Sequence, residues 1–195
     1  MKKNSVSLMI VLLAAALYAA TTSARIHQNL PEFQIKITQT DENVNIDVFQ
    51  GNKKIQTLKA NGVSVNYTQI AGADSFKNGI WLEDFNFDGY KDIAALVTHG
   101  VTGNFTVKVF LYHVQQKRFV YHPGFSSIPS PRLNKHQGLI LGFEKGGAAG
   151  LIFKRMTYRV VQGQPVLIKR VIQDVLKSND RSEERRVGKE CRSRW

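Results

Sequence analysis

The feature that most constrains the fold is a strict alternation of apolar and polar residues in several short segments. Residues 33–40 and 43–50 alternate on either side of the polar pair Asp41-Glu42, and residues 54–60 follow after a Gly-Asn turn. Alternation with a period of two puts one kind of side chain on each face of a strand, and a polar break between two such runs is typical of a β-hairpin. The first third of the chain is therefore predicted to contain a hairpin and a third strand.

The second half of the chain repeats this pattern. Residues 105–113 alternate and lead through a polar turn to residues 119–121, and residues 154–161 and 166–175 flank a Gln-Gly-Gln turn. Residues 123–132 contain three prolines, which we expect to exclude regular structure. No segment shows a helical period over more than two turns. The pattern predicts an all-β fold of antiparallel sheets, either a sandwich or an incomplete β-propeller.

The beginning of the chain has the pattern of a secretory signal peptide. Two lysines follow Met1, an apolar run extends from Val6 to Ala20, and Thr22-Ser23-Ala24 precedes Arg25. A basic start, an apolar stretch and small residues, in that order, are typical of an export signal. The apolar run is shorter than the roughly 20 residues that span a bilayer. We therefore expect residues 1–24 to be removed on export, leaving no membrane anchor.

The other end of the chain is polar and lacks apolar periodicity. Residues 181–195 carry six Lys and Arg and three Glu, and they resemble an extension that recurs on unrelated proteins. We expect this segment to be a non-native or disordered basic tail, the alternative being a genuine solvated tail. Residues 25–180 then form a single β domain, a length that can bury a sufficient core.

The domain without the two ends has a lower net charge than the whole chain and contains no cysteine. The chain has 27 Lys and Arg against 15 Asp and Glu, and the ends hold eight of the basic and three of the acidic residues, which leaves 19 and 12, or +7. Cys191 lies in the tail, so the domain can form no internal disulfide. In an exported chain this modest charge favours a solvated surface or a face for an acidic partner over nucleic-acid binding.

One motif carries metal-binding chemistry. An acidic loop that starts at Asp84 bears side-chain oxygens at its positions 1, 3, 5 and 9, which are Asp84, Asn86, Asp88 and Asp92. Its position 6 is Gly89. Ca²⁺ prefers six to eight oxygen ligands, and this spacing folds four oxygen-bearing side chains around one point, with the main-chain carbonyl of Tyr90 as a further ligand. The sequence predicts a structural calcium site flanked by strands. The alternative is an ordinary hairpin in which Asp88-Gly89 forms a type I′ turn.

The loop is not an EF-hand, and the chain offers little for catalysis. Ala95 stands at position 12, where an EF-hand has a bidentate Glu. The five histidines show no HxH or HExxH spacing, and residues 25–180 contain no nucleophilic cysteine, phosphate loop or G-x-S-x-G motif. The chain is therefore expected not to be an enzyme.

Several stretches together carry a resemblance to a known family. They are Ile55-Gln56-Thr57-Leu58, Leu82 to Asp92, Thr102-Gly103-Asn104-Phe105, Phe110-Leu111-Tyr112 and Arg118-Phe119-Val120. Over about residues 33–175 the chain resembles the periplasmic immunity proteins of type IV secretion peptidoglycan-hydrolase effectors. These proteins are similar in turn to the periplasmic inhibitors of invertebrate-type lysozyme.

The resemblance implies a periplasmic β-rich inhibitor that occupies the active-site cleft of a lysozyme-like peptidoglycan hydrolase, with Ca²⁺ in the acidic loop. In the lysozyme inhibitors a Ser-Gly-x-Tyr loop enters the cleft, and Thr102, Gly103, Asn104 and Phe105 stand nearest to it here. Phe105 lacks the hydroxyl and is equally well the first inward residue of a strand. The alternative function is an exported, propeller-like scaffold module that binds glycan or protein without inhibiting an enzyme.

Overall fold

The structure, a computed structural model, describes residues 18–39, 43–61, 79–100, 102–147, 151–174 and 183–186. These residues form thirteen strands and one short helix, arranged as three antiparallel sheets. The predicted all-β fold of antiparallel sheets is confirmed, and the sheets are unclosed. Within the described ranges, no helix is long and apolar enough to cross a membrane.

Sheet 1 is a meander of β1 (Tyr18–Arg25), β2 (Glu32–Gln39), β3 (Asn43–Gln50) and β4 (Lys53–Asn61), in that order. The predicted hairpin and third strand are therefore confirmed. The period-two pattern works as expected, because the alternate positions of β2 and β3 are apolar and buried: Phe33, Ile35, Ile37, Val44, Ile46 and Val48.

Sheet 2 follows the same plan with β5 (Ile80–Glu83), β6 (Asp92–His99), β7 (Phe105–His113) and β8 (Arg118–Tyr121). The first five residues of β6 are all buried, so this central strand is covered on both faces. The acidic loop connects β5 to β6, which confirms that strands flank it on both sides.

Sheet 3 contains five strands in the order β13-β12-β11-β10-β9. In chain order they are β9 (Arg132–Asn134), β10 (Leu139–Lys145), β11 (Ile152–Val161), β12 (Gln164–Asp174) and β13 (Glu183–Arg186). The predicted hairpin across the Gln-Gly-Gln turn is the β11–β12 pair, whose register shifts at a bulge between Thr157 and Tyr158.

The expectation that the prolines exclude regular structure was wrong for part of residues 123–132. Pro123 begins a one-turn helix, α1 (Pro123–Ser126), because a proline at the first helical position needs no backbone donor. The Nδ1 atom of His122 caps the helix by accepting a hydrogen bond from the Phe125 amide at 3.3 Å. Burial lowers the pKa of His122, which favours the neutral ring whose Nδ1 can accept this bond. Strand β9 then starts directly after Pro131.

One continuous hydrophobic core joins the three sheets. The side-chain amide of Gln56 in β4 donates to the carbonyl of Phe119 at 2.7 Å and accepts from the Phe119 amide at 2.9 Å, which links sheet 1 to sheet 2. The segment after α1 links sheet 2 to sheet 3, because Ser130 bonds to the backbone of Phe105 and the Pro129 carbonyl accepts from Phe143.

The predicted ends of the domain lie partly outside the described residues. The structure does not describe residues 1–17 of the expected signal peptide or most of residues 181–195. The turn predicted at Asp41-Glu42 also lies outside the described residues. Tyr18–Arg25, which spans the expected cleavage point, forms β1 and pairs along its whole length with β2. Within the expected tail, Glu183–Arg186 pairs with β12. The boundaries at residues 24 and 180 stay predictions.

Candidate functional site

The acidic loop is built by tight backbone turns between β5 and β6. Phe87 and Gly89 both adopt positive φ angles, of 58° and 92°. Gly89 has open space around the position of a Cβ, so its backbone angle rather than crowding accounts for glycine here. These turns aim successive backbone amides at the side chains that begin the loop.

The first three acidic-loop side chains are tied together by hydrogen bonds inside the loop. Asp84 accepts from the amides of Asp88 at 3.1 Å and Gly89 at 2.8 Å through different carboxylate oxygens. Asp88 accepts from the Tyr90 amide at 2.9 Å and from the side-chain amide of Asn86 at 2.8 Å. These bonds bring Asp84, Asn86, Asp88 and the backbone of Tyr90 together around one turn, and the role of the predicted set, Asp92 included, as metal ligands stays a prediction.

Asp92 faces into the protein instead. Its carboxylate is completely buried, and it accepts from the amide of Phe85 at 2.8 Å and from the amide of Tyr112 at 2.9 Å. One oxygen thus holds the start of the acidic loop and the other holds β7. Asp92 is a cross-link between the loop and sheet 2, whatever else it binds.

Two carboxyl groups of the loop, those of Asp84 and Asp92, have a raised pKa. Burial raises the pKa of Asp92 to about 8, and the charges of Asp88 and Asp84 add to this rise while its two backbone hydrogen bonds oppose it. Burial likewise raises the pKa of Asp84, with a smaller contribution from the charge of Asp88. The charges of Asp84 and Asp88 thus disfavour the ionised form of Asp92, and a bound cation would offset this effect.

The donors of the loop fit a hard cation in chemistry. Asp84 and Asp88 supply carboxylate oxygens, Asn86 an amide oxygen and Tyr90 a main-chain carbonyl, which are the ligand types of Ca²⁺ loops. Within the described part of the chain, no group of three or more His, Cys, Asp or Glu side chains could hold a metal ion. The fit therefore depends on the amide and carbonyl donors. Each oxygen of Asp92 already accepts a backbone hydrogen bond, so Asp92 could bind the ion only through a second lone pair on one of these oxygens.

An open cleft of about 740 Å³ lies beside the acidic loop. One wall is the segment after β1, where the Ile26 carbonyl accepts from the Lys91 amide at 3.0 Å and His27 stacks on Tyr90 at 4.4 Å between ring centroids. Lys135, from the β9–β10 turn, reaches across to Glu83 at 2.6 Å. No sequence motif indicates this cleft, because it joins residues that are far apart in the chain.

The predicted partner-binding residues divide between the tip and the base of the β6–β7 hairpin. Thr102 and Gly103 are exposed at the tip, where Gly103 has a φ of 83° and donates to the Gly100 carbonyl at 2.9 Å. Asn104 is half-buried, and its amide bonds to both backbone groups of Lys145, at 2.7 and 2.8 Å.

Phe105 is buried, with 4% of its surface exposed, as the first inward residue of β7. Its backbone amide donates to the side chain of Ser130 at 3.0 Å. Of the four residues, Thr102 and Gly103 are therefore the ones open to a partner. Asn104 and Phe105 hold the hairpin tip in position, and the partner-binding role of the whole set stays a prediction.

No protein-family model matches the chain, and no curated protein matches it. A solved structure of a Xanthomonas type IV secretion system related protein is similar to it in fold, with a TM-score of 0.54 and 17% sequence identity. The match covers 86% of this chain and 98% of that chain. At this identity the likeness establishes a shared fold over nearly the whole of that protein, and nothing further about this chain.

Proposed function

We propose that this chain is a periplasmic, calcium-binding immunity protein that blocks a lysozyme-like peptidoglycan hydrolase by occluding its active-site cleft. The observation that carries the proposal is the shared fold with the Xanthomonas type IV secretion system related protein, which spans 98% of that chain. It agrees with the family resemblance of residues 33–175, which points to the same secretion context. Export rests on the pattern of residues 1–24.

The geometry of the β6–β7 hairpin suits an inhibitory loop. Its tip is exposed, while the bonds from Asn104 to Lys145 and from Phe105 to Ser130 anchor its base. A loop that is already held in one conformation loses little entropy when it enters a cleft, which favours tight binding. The tip residues Thr102 and Gly103 are the proposed insertion point.

The proposed role of the calcium site is structural. Asp84, Asn86, Asp88 and the Tyr90 carbonyl would hold the ion, with Asp92 at the inner end of the loop. A bound Ca²⁺ supplies positive charge that offsets the repulsion among these carboxylates. Asp92 already joins the loop to β7 through Tyr112, so a rigid loop would steady the sheet that carries the hairpin.

The charge of the domain agrees with the proposed target. Most glycoside hydrolases that cleave polysaccharide use a pair of carboxylates in the cleft. A domain with a net charge of +7 between residues 25 and 180 is electrostatically complementary to such a cleft, which speeds encounter and fixes orientation. The chain itself is proposed to have no catalytic activity.

The proposal is tested by adding the purified protein in micromolar excess to a panel of muramidases that includes any hydrolase encoded beside its gene. We expect at least one enzyme to lose most of its activity. Thr102→Trp should relieve the inhibition because a bulky tip no longer fits a cleft. Asn52→Trp, which places the same side chain in the exposed β3–β4 turn, should inhibit like the wild type.

Full activity of every enzyme in the panel would contradict the proposal. Recovery of a glycan or structural protein by the immobilised protein, together with that result, would instead support the scaffold module. Equal inhibition by wild type and Thr102→Trp would retain an inhibitor but remove the hairpin tip from its mechanism.

A further inference from the structure

The open face of sheet 3 forms a second surface region with its own chemistry. Two rows of cross-strand neighbours run across it, one through Arg132, Leu141, Thr157 and Lys169, the other through Phe143, Arg155 and Val171. The alternate residues Ile140 and Met156 are buried in the core at 0% and 6% exposure. Because side chains alternate between the faces of a strand, the two rows point away from the core.

These rows line an open cleft of about 560 Å³ that combines cations with an apolar floor. Arg132, Arg155 and Lys169 supply three positive charges, and none of the described side chains that line the cleft is Asp or Glu. Leu141, one of the lining residues, is 40% exposed. The guanidinium of Arg155 lies over the Phe153 ring, 4.6 Å from the ring centroid. This cation–π contact holds the positive charge of Arg155 in place.

This basic face is continuous with the β6–β7 hairpin. Asn104, at the base of the hairpin, bonds to the backbone of Lys145 at the end of β10. Phe143, two residues earlier in the same strand, lines the basic cleft. The exposed tip at Thr102-Gly103 and the basic face therefore lie on neighbouring structural elements that are directly bonded to each other.

We propose that the basic face of sheet 3 is a docking surface for the acidic face of a protein partner, and that it extends the contact made by the hairpin tip. The identity of that partner as a carboxylate-bearing peptidoglycan hydrolase rests on the proposed function. Arginine and aromatic residues are enriched in protein interfaces. The apolar floor of Leu141, Phe143 and Val171, surrounded by cations, suits a protein surface, because protein interfaces combine an apolar core with a polar rim.

The proposal is tested with the triple variant Arg132→Gln, Arg155→Gln and Lys169→Gln. Its matched control is Lys36→Gln, Lys53→Gln and Lys59→Gln, which removes three exposed cations from sheet 1. Each protein is titrated against the hydrolase that the wild type inhibits. We expect the sheet 3 variant to bind about 10- to 100-fold more weakly, and the wild type to lose affinity more steeply than the variant as salt rises. The control should stay within about 3-fold of the wild type.

A second variant keeps the experiment decisive if the triple variant folds poorly in a thermal melt. Leu141→Glu changes one exposed side chain and puts a like charge in the path of the partner's carboxylates, so it should weaken binding as well. Binding within 3-fold of the wild type by either well-folded variant would overturn the proposal.

A separate arm distinguishes failure of this proposal from failure of the proposed function. If the wild type inhibits no hydrolase, binding to poly-glutamate and to heparin is measured for the wild type and both triple variants. Poly-glutamate binding that only the sheet 3 variant loses would support the docking surface without the hydrolase. Preferential binding to heparin, or no difference between the two triple variants, would overturn it.

Discussion

The carboxylate of Asp92 holds the acidic loop to sheet 2 from inside the protein. Among the described side chains, Asp92 is the only acceptor for the amides of Phe85 and Tyr112. It is also completely buried. A buried backbone donor that loses its acceptor costs about 1–3 kcal/mol, because water cannot replace the bond. The stability of the loop therefore depends on Asp92 even without a metal.

We predict that Asp92→Ala lowers the free energy of unfolding by about 2–5 kcal/mol, measured by urea denaturation in the presence of EDTA. Asp88→Ala is the matched control, since the exposed Asp88 should cost less than about 1 kcal/mol under the same conditions. Equal losses for the two variants would show that the buried bonds of Asp92 contribute little.

Asp88 is where the calcium prediction is tested most directly. At 10 mM Ca²⁺, a site of about 10⁻⁴–10⁻³ M affinity adds roughly 1–3 kcal/mol of stability by mass action. We predict a rise of about 3–10 °C in the melting temperature of the wild type, and no rise for Asp88→Asn. Asparagine can still accept from the Tyr90 amide, so the variant removes charge with little change in the turn.

Mg²⁺ at the same concentration is the control for ionic strength, because it demands near-ideal octahedral geometry and gives up its water ligands reluctantly. A melting curve that does not change across millimolar Ca²⁺ would refute the site.

At the scale of single elements, strand β1 contributes pairing but little core. None of the described side chains of residues 19–25 is fully buried, whereas Ile26, directly after the strand, is 1% exposed and packs in the core. Removal of the expected signal peptide would take away most of β1 and leave Ile26 and its bond to Lys91 in place. Strand β2 would then become the edge of sheet 1.

We therefore predict that a chain starting at Arg25 still folds with one cooperative unfolding transition, because its apolar core is unchanged. Alternate amides of β2 should exchange with solvent faster than in the full chain, as measured by hydrogen exchange. Those of β3 serve as the control, since both neighbours of β3 remain. Failure of the shorter chain to fold would mean that β1 is part of the domain.

Most individual strands could be predicted from the sequence. The β2–β3 and β11–β12 hairpins were predicted correctly, because apolar and polar residues alternate within each strand and the turns between the strands are polar or contain glycine. The short β9 and the one-turn helix at Pro123 could not be predicted in this way, since each depends on contacts outside its own segment. Ser126 and Ser130 there bond to the backbone of β7.

At the scale of the whole molecule, bonds between distant residues combine three local meanders into one structure. Gln56 and Phe119 are 63 residues apart, and Asn104 and Lys145 are 41 apart, yet each pair joins two sheets. The same assembly bonds the base of the β6–β7 hairpin to β10, a strand that lines the basic cleft of sheet 3. The proposed partner surface is thus a product of the packing of sheets rather than of any one segment.

The sequence by itself determined the all-β class, the main hairpins and the acidic loop, because each depends on residues only a few positions apart. Only the tertiary structure decided that Asp92 turns inward to Phe85 and Tyr112 and that Asn104 braces Lys145. It also decided that Arg132, Arg155 and Lys169 share one cleft. The reason is physical: spacing along the chain sets which face of a strand a side chain occupies, whereas its partners depend on how separate sheets pack.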